Sequence, residues 1–229
     1  MSAFAISAEL QELLNNLKGS QFENNIAYMY VDSVGKITVG VGHNLTAQGD
    51  VLSLPFVVKR YERHSVLGGD KGVPIAKDSK LDRPATTAEI QNDYDFLKKH
   101  SGLKKYGPEQ LQKYTTLELG ADAIQELFVG DLKIAIDVCR KEFGAAFDKF
   151  PVKCQAGLID IAFNAGSFRS FQTVFVPAIK GTGDYAKKKE SERWTIASQN
   201  CKRGQVSATR NDLVAKWFLD AASSTPDPK

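Results

Sequence analysis

The chain has 229 residues, 42% hydrophobic and 25% charged, and its 30 basic against 27 acidic side chains give a net charge of +3. That composition excludes a collagen, a disordered tail protein and a disulfide-framework miniprotein. The charge is too mild for a nucleic-acid binder, although it would not repel an anionic polymer. At this length one large domain, or two small lobes, folds without staples. Cys139, Cys154 and Cys201 are too few and too scattered for a disulfide scaffold, so reduced thiols are expected. No run of about 20 apolar residues predicts a membrane span. The start, MSAFAISAELQELL, lacks a basic n-region, so no signal peptide is expected.

In chain order, Ser7 can cap a helix over 7–18, with Leu10, Leu13, Leu14 and Leu17 at helical spacing. Tyr28 to Val31 reads as a strand, 32–35 as a turn, and Lys36 to Val41 as a second strand. Gly40 and Gly42 in that second strand predict a bend or a closely approached backbone. The stretch from 45 to 114 has little periodicity. Thr86 and Glu89, however, form a capping box for a helix ending near His100. A second box, Thr115 with Glu118, predicts a long helix with an apolar stripe from Leu117 to Phe143. Further helices are expected at 151–164, 168–180, 184–200 and 206–222, and 223–229 reads as a solvated tail. The fold class is therefore α+β, mainly α: a small β-containing front joined to a larger helical body.

Several motifs carry little. Gly181 to Ala186 fits G-x-G-x-x-A but follows a helix rather than a strand, so a helix–helix turn explains it. Asn44-Leu45-Thr46 is a glycosylation sequon without a secretory context, and Lys187 to Lys189 reads as a solvated helix face. Three histidines without metal-ligand spacing predict neither a metal nor a cofactor.

One constellation stands apart: Glu23, Asp32, Thr38 and His43 in the run FENNIAYMYVDSVGKITVGVGHN. Phe22 and Ile26 could shield the Glu23 carboxyl, and desolvation would hold its proton near neutral pH. Asp32 opens a turn, a wetter place where a carboxylate stays ionised. Two carboxyl groups in contrasting environments suit acid–base glycoside cleavage, and Thr38 can hold a water. The same residues also fit a solvated Glu, an Asp capping a turn and an ordinary strand Thr.

Glu23, Asp32 nine residues on and Thr38 six further, followed by T-V-G-V-G-H-N, resemble the signature of phage-type lysozymes, the endolysins and muramidases of glycoside hydrolase family 24. Gln155 to Gly166 is similar to that family's central buried helix, and Trp194 through Gln199, Arg203 and Arg210 to its closing Trp and Arg pattern. The resemblance spans about 1–46 and 115–222. It implies a lysozyme-like two-lobed domain over 1–222, with a catalytic lobe at 20–46, an insertion with one helix at 47–114 and a helical lobe at 115–222. Glu23 is then the general acid, Asp32 the carboxylate that activates water or stabilises the cation, and Thr38 the water-holding hydroxyl. Asn44, Phe163 and Asn164 line the cleft, while His43 is structural. The implied reaction is hydrolysis, with inversion, of the β-1,4 bond between N-acetylmuramic acid and N-acetylglucosamine.

The expected ligand is a peptidoglycan strand, cleaved by a monomer without nucleic-acid or membrane partners. Made in the cytoplasm, the enzyme would reach the periplasm either through a holin pore, as an endolysin, or by injection, as an antibacterial effector with an immunity or inhibitor protein and a delivery machinery as partners. The competing reading is a catalytically inert, lysozyme-like glycan-binding or structural protein. The insertion has no counterpart in a compact member of that family; its part 86–100 is expected to dock on the body beside the cleft, and 66–84 to stay a mobile rim.

Overall fold

The computed structural model describes residues 6–17, 25–45, 48–66 and 68–224. The chain is mixed α and β, mainly helical, and divides into two compact units: residues 23–129, and residues 1–22 together with 130–229.

In the 23–129 unit, aromatic and β-branched residues build an antiparallel sheet of β1 (Ile26–Val31), β2 (Ile37–Gly40) and β3 (His43–Asn44), in that order. Tyr30 lies opposite Thr38 and Val31 opposite Ile37, while Thr38 also pairs with Asn44 and Val39 with His43. Gly40 and Gly42 both have positive φ, +66° and +76°, which reverses the chain between β2 and β3. A methyl group on Gly40 would sit 3.2 Å from Ile124 Cγ2, so the expected close approach is made by another helix of this unit.

The insertion contains two α-helices, not one: α2 (Gln48–Leu52) and α3 (Thr87–Lys99). At five residues α2 is too short for periodicity to reveal it. The capping box of α3 is present, with the Glu89 N–H donating to Thr86 Oγ1 at 3.3 Å and the Thr86 N–H to Glu89 Oε2 at 2.8 Å. Ile90, Tyr94 and Leu97 are buried, α3 packs on β1 and β2, and the Tyr94 hydroxyl donates to the Leu45 carbonyl at 3.3 Å.

The long helix expected from Thr115 forms, but starts only at Ala121. Ahead of it β5 (Leu117–Leu119) pairs antiparallel with β4 (Phe56–Val58), and α4 (Ala121–Phe143) begins only after Gly120. Leu117 and Leu119 are buried on either side of a half-buried Glu118, a period of two that satisfies a strand. The supposed cap is engaged elsewhere: Thr115 Oγ1 donates to the Gln112 carbonyl at 3.1 Å, and Glu118 accepts from Arg60 at 2.6 Å and Gln112 at 2.9 Å.

The 66–84 stretch is tied down rather than hanging free. Arg63 donates to the Val73 carbonyl at 2.9 Å, the Ile75 N–H to Tyr61 at 2.8 Å, and the Tyr61 hydroxyl to the Ser79 carbonyl at 3.0 Å. Pro84 bridges Val57.

The other unit is helical. Its elements are α1 (Ala8–Leu17), the part of α4 from 130 on, α5 (Val152–Ala165), α6 (Phe175–Lys180), α7 (Glu190–Gln199) and α8 (Ala208–Ser224). The expected helix over 168–180 shrinks to a 3-10 turn, Arg169–Phe171, and α6, because Pro177 is tolerated only in a first helical turn. Likewise Gly183–Tyr185 is a single 3-10 turn, and Lys187 to Lys189 precede α7 as exposed coil instead of forming a helix face.

Helix α5 packs against α1 and α8, with Leu158, Ile159 and Ile161 fully buried. At its centre Asp160 is also fully buried, held by Arg203 at 2.7 Å and by Arg210 at 2.6 Å. Trp194 stacks on Phe218 with ring centroids 6.1 Å apart. The three cysteines are free and buried, and burial pushes the Cys201 thiol up to about 11, so it is a poor nucleophile at neutral pH.

Two outcomes follow from these buried and capping charges. Asp160→Ala leaves two buried guanidinium groups without their carboxylate and should cost about 3–5 kcal/mol in urea denaturation. Glu89, hydrogen-bonded by Arg83 and the Thr86 N–H, has its carboxyl lowered from 4.5 to about 2. A depressed carboxyl stabilises the fold above its unfolded value and loses that contribution as pH falls from about 4.5 towards 2. Tm measured from pH 7 to pH 2 should therefore fall more steeply for the wild type than for Glu89→Gln.

Candidate functional site

The hairpin between β1 and β2 is built by one side chain. Asp32 Oδ1 accepts the N–H groups of Val34 at 3.0 Å and Lys36 at 2.7 Å, while its own N–H donates to the Lys36 carbonyl at 2.8 Å. This is a side-chain-closed turn of the kind Asp favours. Gly35, at φ +90°, completes it by donating its N–H to the Asp32 carbonyl at 3.0 Å. Both main-chain bonds to the carboxylate fall on one oxygen, so lone pairs of the half-exposed group remain for a ligand.

Register then determines which strand side chains share a face. Directly opposite residues share a face, and every second residue along a strand returns to it. Tyr30, Thr38 and Asn44 therefore share one face of the sheet, and Asp32 lies just past the end of β1, in the turn. Thr38 is only 3% exposed, and its hydroxyl makes a long 3.4 Å bond to the Lys36 carbonyl. Across from it, Asn44 Oδ1 is buried with no hydrogen-bond partner among the described residues. A buried amide oxygen left so costs about 1–3 kcal/mol.

Glu23 lies outside the described residues, three positions before β1 begins. Phe163 and Asn164 occupy the last turn of α5 in the other unit, where Phe163 is half-buried and Asn164 exposed just before the left-handed Gly166 that ends the helix. The structure thus brings Asp32, Thr38 and Asn44 onto one hairpin and puts the Phe163–Asn164 pair on a separate helix end. Among the described residues no group of His, Cys, Asp and Glu side chains is arranged to hold a metal, and no helix is long and apolar enough to cross a membrane.

A pocket formed by Lys99, His100, Lys105, Tyr106 and Tyr114 was not anticipated from sequence. Its signal was present in the run Lys98-Lys99-His100-Ser101-Gly102-Leu103-Lys104-Lys105-Tyr106, which interleaves cations with an aromatic side chain. Comparison with protein-family models finds no match for the chain, and comparison with curated proteins finds none either.

If Asp32 builds the turn through one acceptor oxygen, the two neutral replacements should differ. Asp32→Asn keeps an oxygen at that position, whereas Asp32→Ala strands two N–H donors and should lose about 0.5–1.5 kcal/mol per hydrogen bond. Thermal unfolding of the two variants side by side reads that difference.

Proposed function

We propose that the chain is a lysozyme of lysozyme-like two-lobed fold, hydrolysing the β-1,4 bond between N-acetylmuramic acid and N-acetylglucosamine in peptidoglycan. The observation that carries this reading is the small sheet: a carboxylate fixed by its own turn between β1 and β2, and on β2 a hydroxyl paired across to an unsatisfied amide oxygen on β3. The sequence resemblance supports it, because Glu23, Asp32 and Thr38 stand at the spacing of phage-type muramidases.

In this mechanism Glu23 gives its proton to the leaving glycosidic oxygen as the bond breaks. Asp32, ionised, takes a proton from the attacking water or faces the developing positive charge at the anomeric carbon. A water held near Thr38 and Asn44 attacks from the face opposite the leaving group, so the product inverts. Asp32 needs no loop closure to be presented, since the turn has already fixed its rotamer. Phe163 and Asn164 contact the glycan. The work is done in the periplasm, by a monomer released through a holin pore or injected into a rival cell. In the second case an immunity protein restrains the producer's own enzyme.

Loss of turbidity in purified cell walls tests the reading. The wild type should clear them, and Glu23→Gln should be slower by about 10²–10⁴-fold while keeping its circular dichroism spectrum. NMR of the first product should show the α-anomer. Intact walls after wild-type treatment would favour the inert glycan-binding alternative, and a β-anomer or a glycosyl adduct on Asp32 would replace inversion with retention.

A further inference from the structure

The 23–129 unit holds an open pocket of about 610 Å³, between Ser65–Val66 on one side and the end of α3 with the chain that follows it on the other. Its floor is aromatic: the Tyr106 and Tyr114 rings stack with centroids 6.5 Å apart. Lys105, whose ammonium lies 5.1 Å from the Tyr106 ring centroid, lines it together with Lys99 and His100. Asp70 holds the last two through one oxygen, Oδ2, which lies 2.7 Å from Lys99 Nζ and 2.9 Å from His100 Nε2, while its other oxygen accepts the Gly72 N–H at 2.8 Å. Between 98 and 114 the chain carries Lys98, Lys99, Lys104, Lys105 and Lys113 against a single acidic residue, Glu109. Of these lysines, Lys99 and Lys105 line the pocket, and Lys99 is paired with Asp70.

The pocket adjoins the candidate catalytic turn. A methyl group built on Gly35 would lie 3.8 Å from Lys104 Cδ, so the 3-10 stretch Ser101–Lys105, whose Gly102, Leu103 and Lys105 line the pocket, passes close to the turn. A ligand seated at Asp32 therefore has this basic, aromatic-floored pocket beside it. The volume suits a short peptide or a disaccharide. Lysine ammonium groups call for carboxylates, and the tyrosine faces for aliphatic or ring surface.

We propose that this pocket receives the acidic stem peptide carried by N-acetylmuramic acid, an assignment that rests on the peptidoglycan reading above. The stem peptide presents several carboxylates on short aliphatic side chains, and it branches from the sugar whose glycosidic bond is to be cleaved. Selection therefore falls on peptide-bearing glycan rather than on stripped glycan.

Calorimetric titration of the full wild-type chain with the N-acetylated stem tetrapeptide of alanine, glutamate, diaminopimelate and alanine tests this. The probe has no glycosidic bond, so turnover does not enter. Binding is expected, weakened by salt, and Lys105→Glu and Ser65→Trp should each reduce affinity at least about tenfold. Both positions are exposed, so the fold is retained, and Lys149→Glu, an equal charge change at an exposed site in the other unit, should leave affinity unchanged. No binding, equal binding of the fully amidated tetrapeptide, tighter binding of the peptide-free disaccharide, displacement by equimolar inorganic phosphate, or full affinity in both pocket variants would each overturn the assignment. Wall clearing separates the two ideas. Tetrapeptide binding without clearing removes the muramidase reading and keeps an acidic-peptide site, whereas clearing without tetrapeptide binding removes the pocket assignment alone.

Discussion

Asp93 is fully buried in the middle of α3, and the donors around it come from two separate parts of the chain. Arg63 reaches it from the loop after β4 and donates through Nε at 2.8 Å. Thr116 gives both its N–H, at 2.9 Å, and its hydroxyl, at 3.0 Å, and the Leu117 N–H adds a bond at 3.0 Å at the start of β5. Burial pushes the carboxyl above the usual carboxylate range, and Arg63 and Thr116 pull against that rise. Such a cluster contributes little net stability compared with apolar packing, but losing one member strands the others in a medium that cannot solvate them. Its consequence is geometric. With Asp93 satisfied, α3 has one position against β5 and one against the Arg63 loop, and α3 is the helix that covers β1 and β2. The same arginine holds the Val73 carbonyl and lies 5.0 Å over the Phe96 ring, so the 66–76 stretch inherits its position from this pair.

How legible this was in the sequence depended on how local the signal is. The hairpin was visible because its cause is local: Asp, Gly and alternating β-formers within about fifteen residues, with the turn closed by a side chain on its own backbone. The capping box of α3 was visible for the same reason. The box at Thr115 and Glu118 had an identical local pattern and was misleading. There the competing partners are distant in sequence: β4 supplies a strand to pair with, Asp93 takes Thr116, and Arg60 takes Glu118. Propensity yields when a tertiary partner offers the same groups a better bond. The rest of the insertion was opaque because what orders it is a set of single long-range bonds, such as Ile75 to Tyr61 and Tyr61 to Ser79, that leave no periodicity to read.

The helical unit shows a related division. Its core helix α5 was readable from a dense apolar run, yet the reason Asp160 sits in the middle of it was not. A buried carboxylate in such a helix makes sense only once Arg203 and Arg210 are seen to reach it from the loop before α8 and from α8 itself. Asn211 adds the specificity that charge alone lacks, accepting the Arg203 N–H at 3.1 Å and donating back to its carbonyl at 2.9 Å. The Trp and Arg pattern near the C-terminus, which contributed to the resemblance, is thus accounted for by packing and charge pairing around α5: Trp194 on Phe218, and two arginines on one carboxylate. That part of the motif reports architecture and carries no chemistry of its own.

The same test applied to the hairpin gives a different answer. Asp32 has a structural duty that accounts for its presence, and a turn aspartate needs no further role. Thr38, buried in the central strand, is also explained by its place there. Asn44 is the exception. Its amide oxygen is buried, opposite Thr38, and no described group answers it, which is a cost that packing does not offset. The turn uses one carboxylate oxygen of Asp32 to hold the side chain, so its orientation is set by bonds local to the hairpin and not by distant packing.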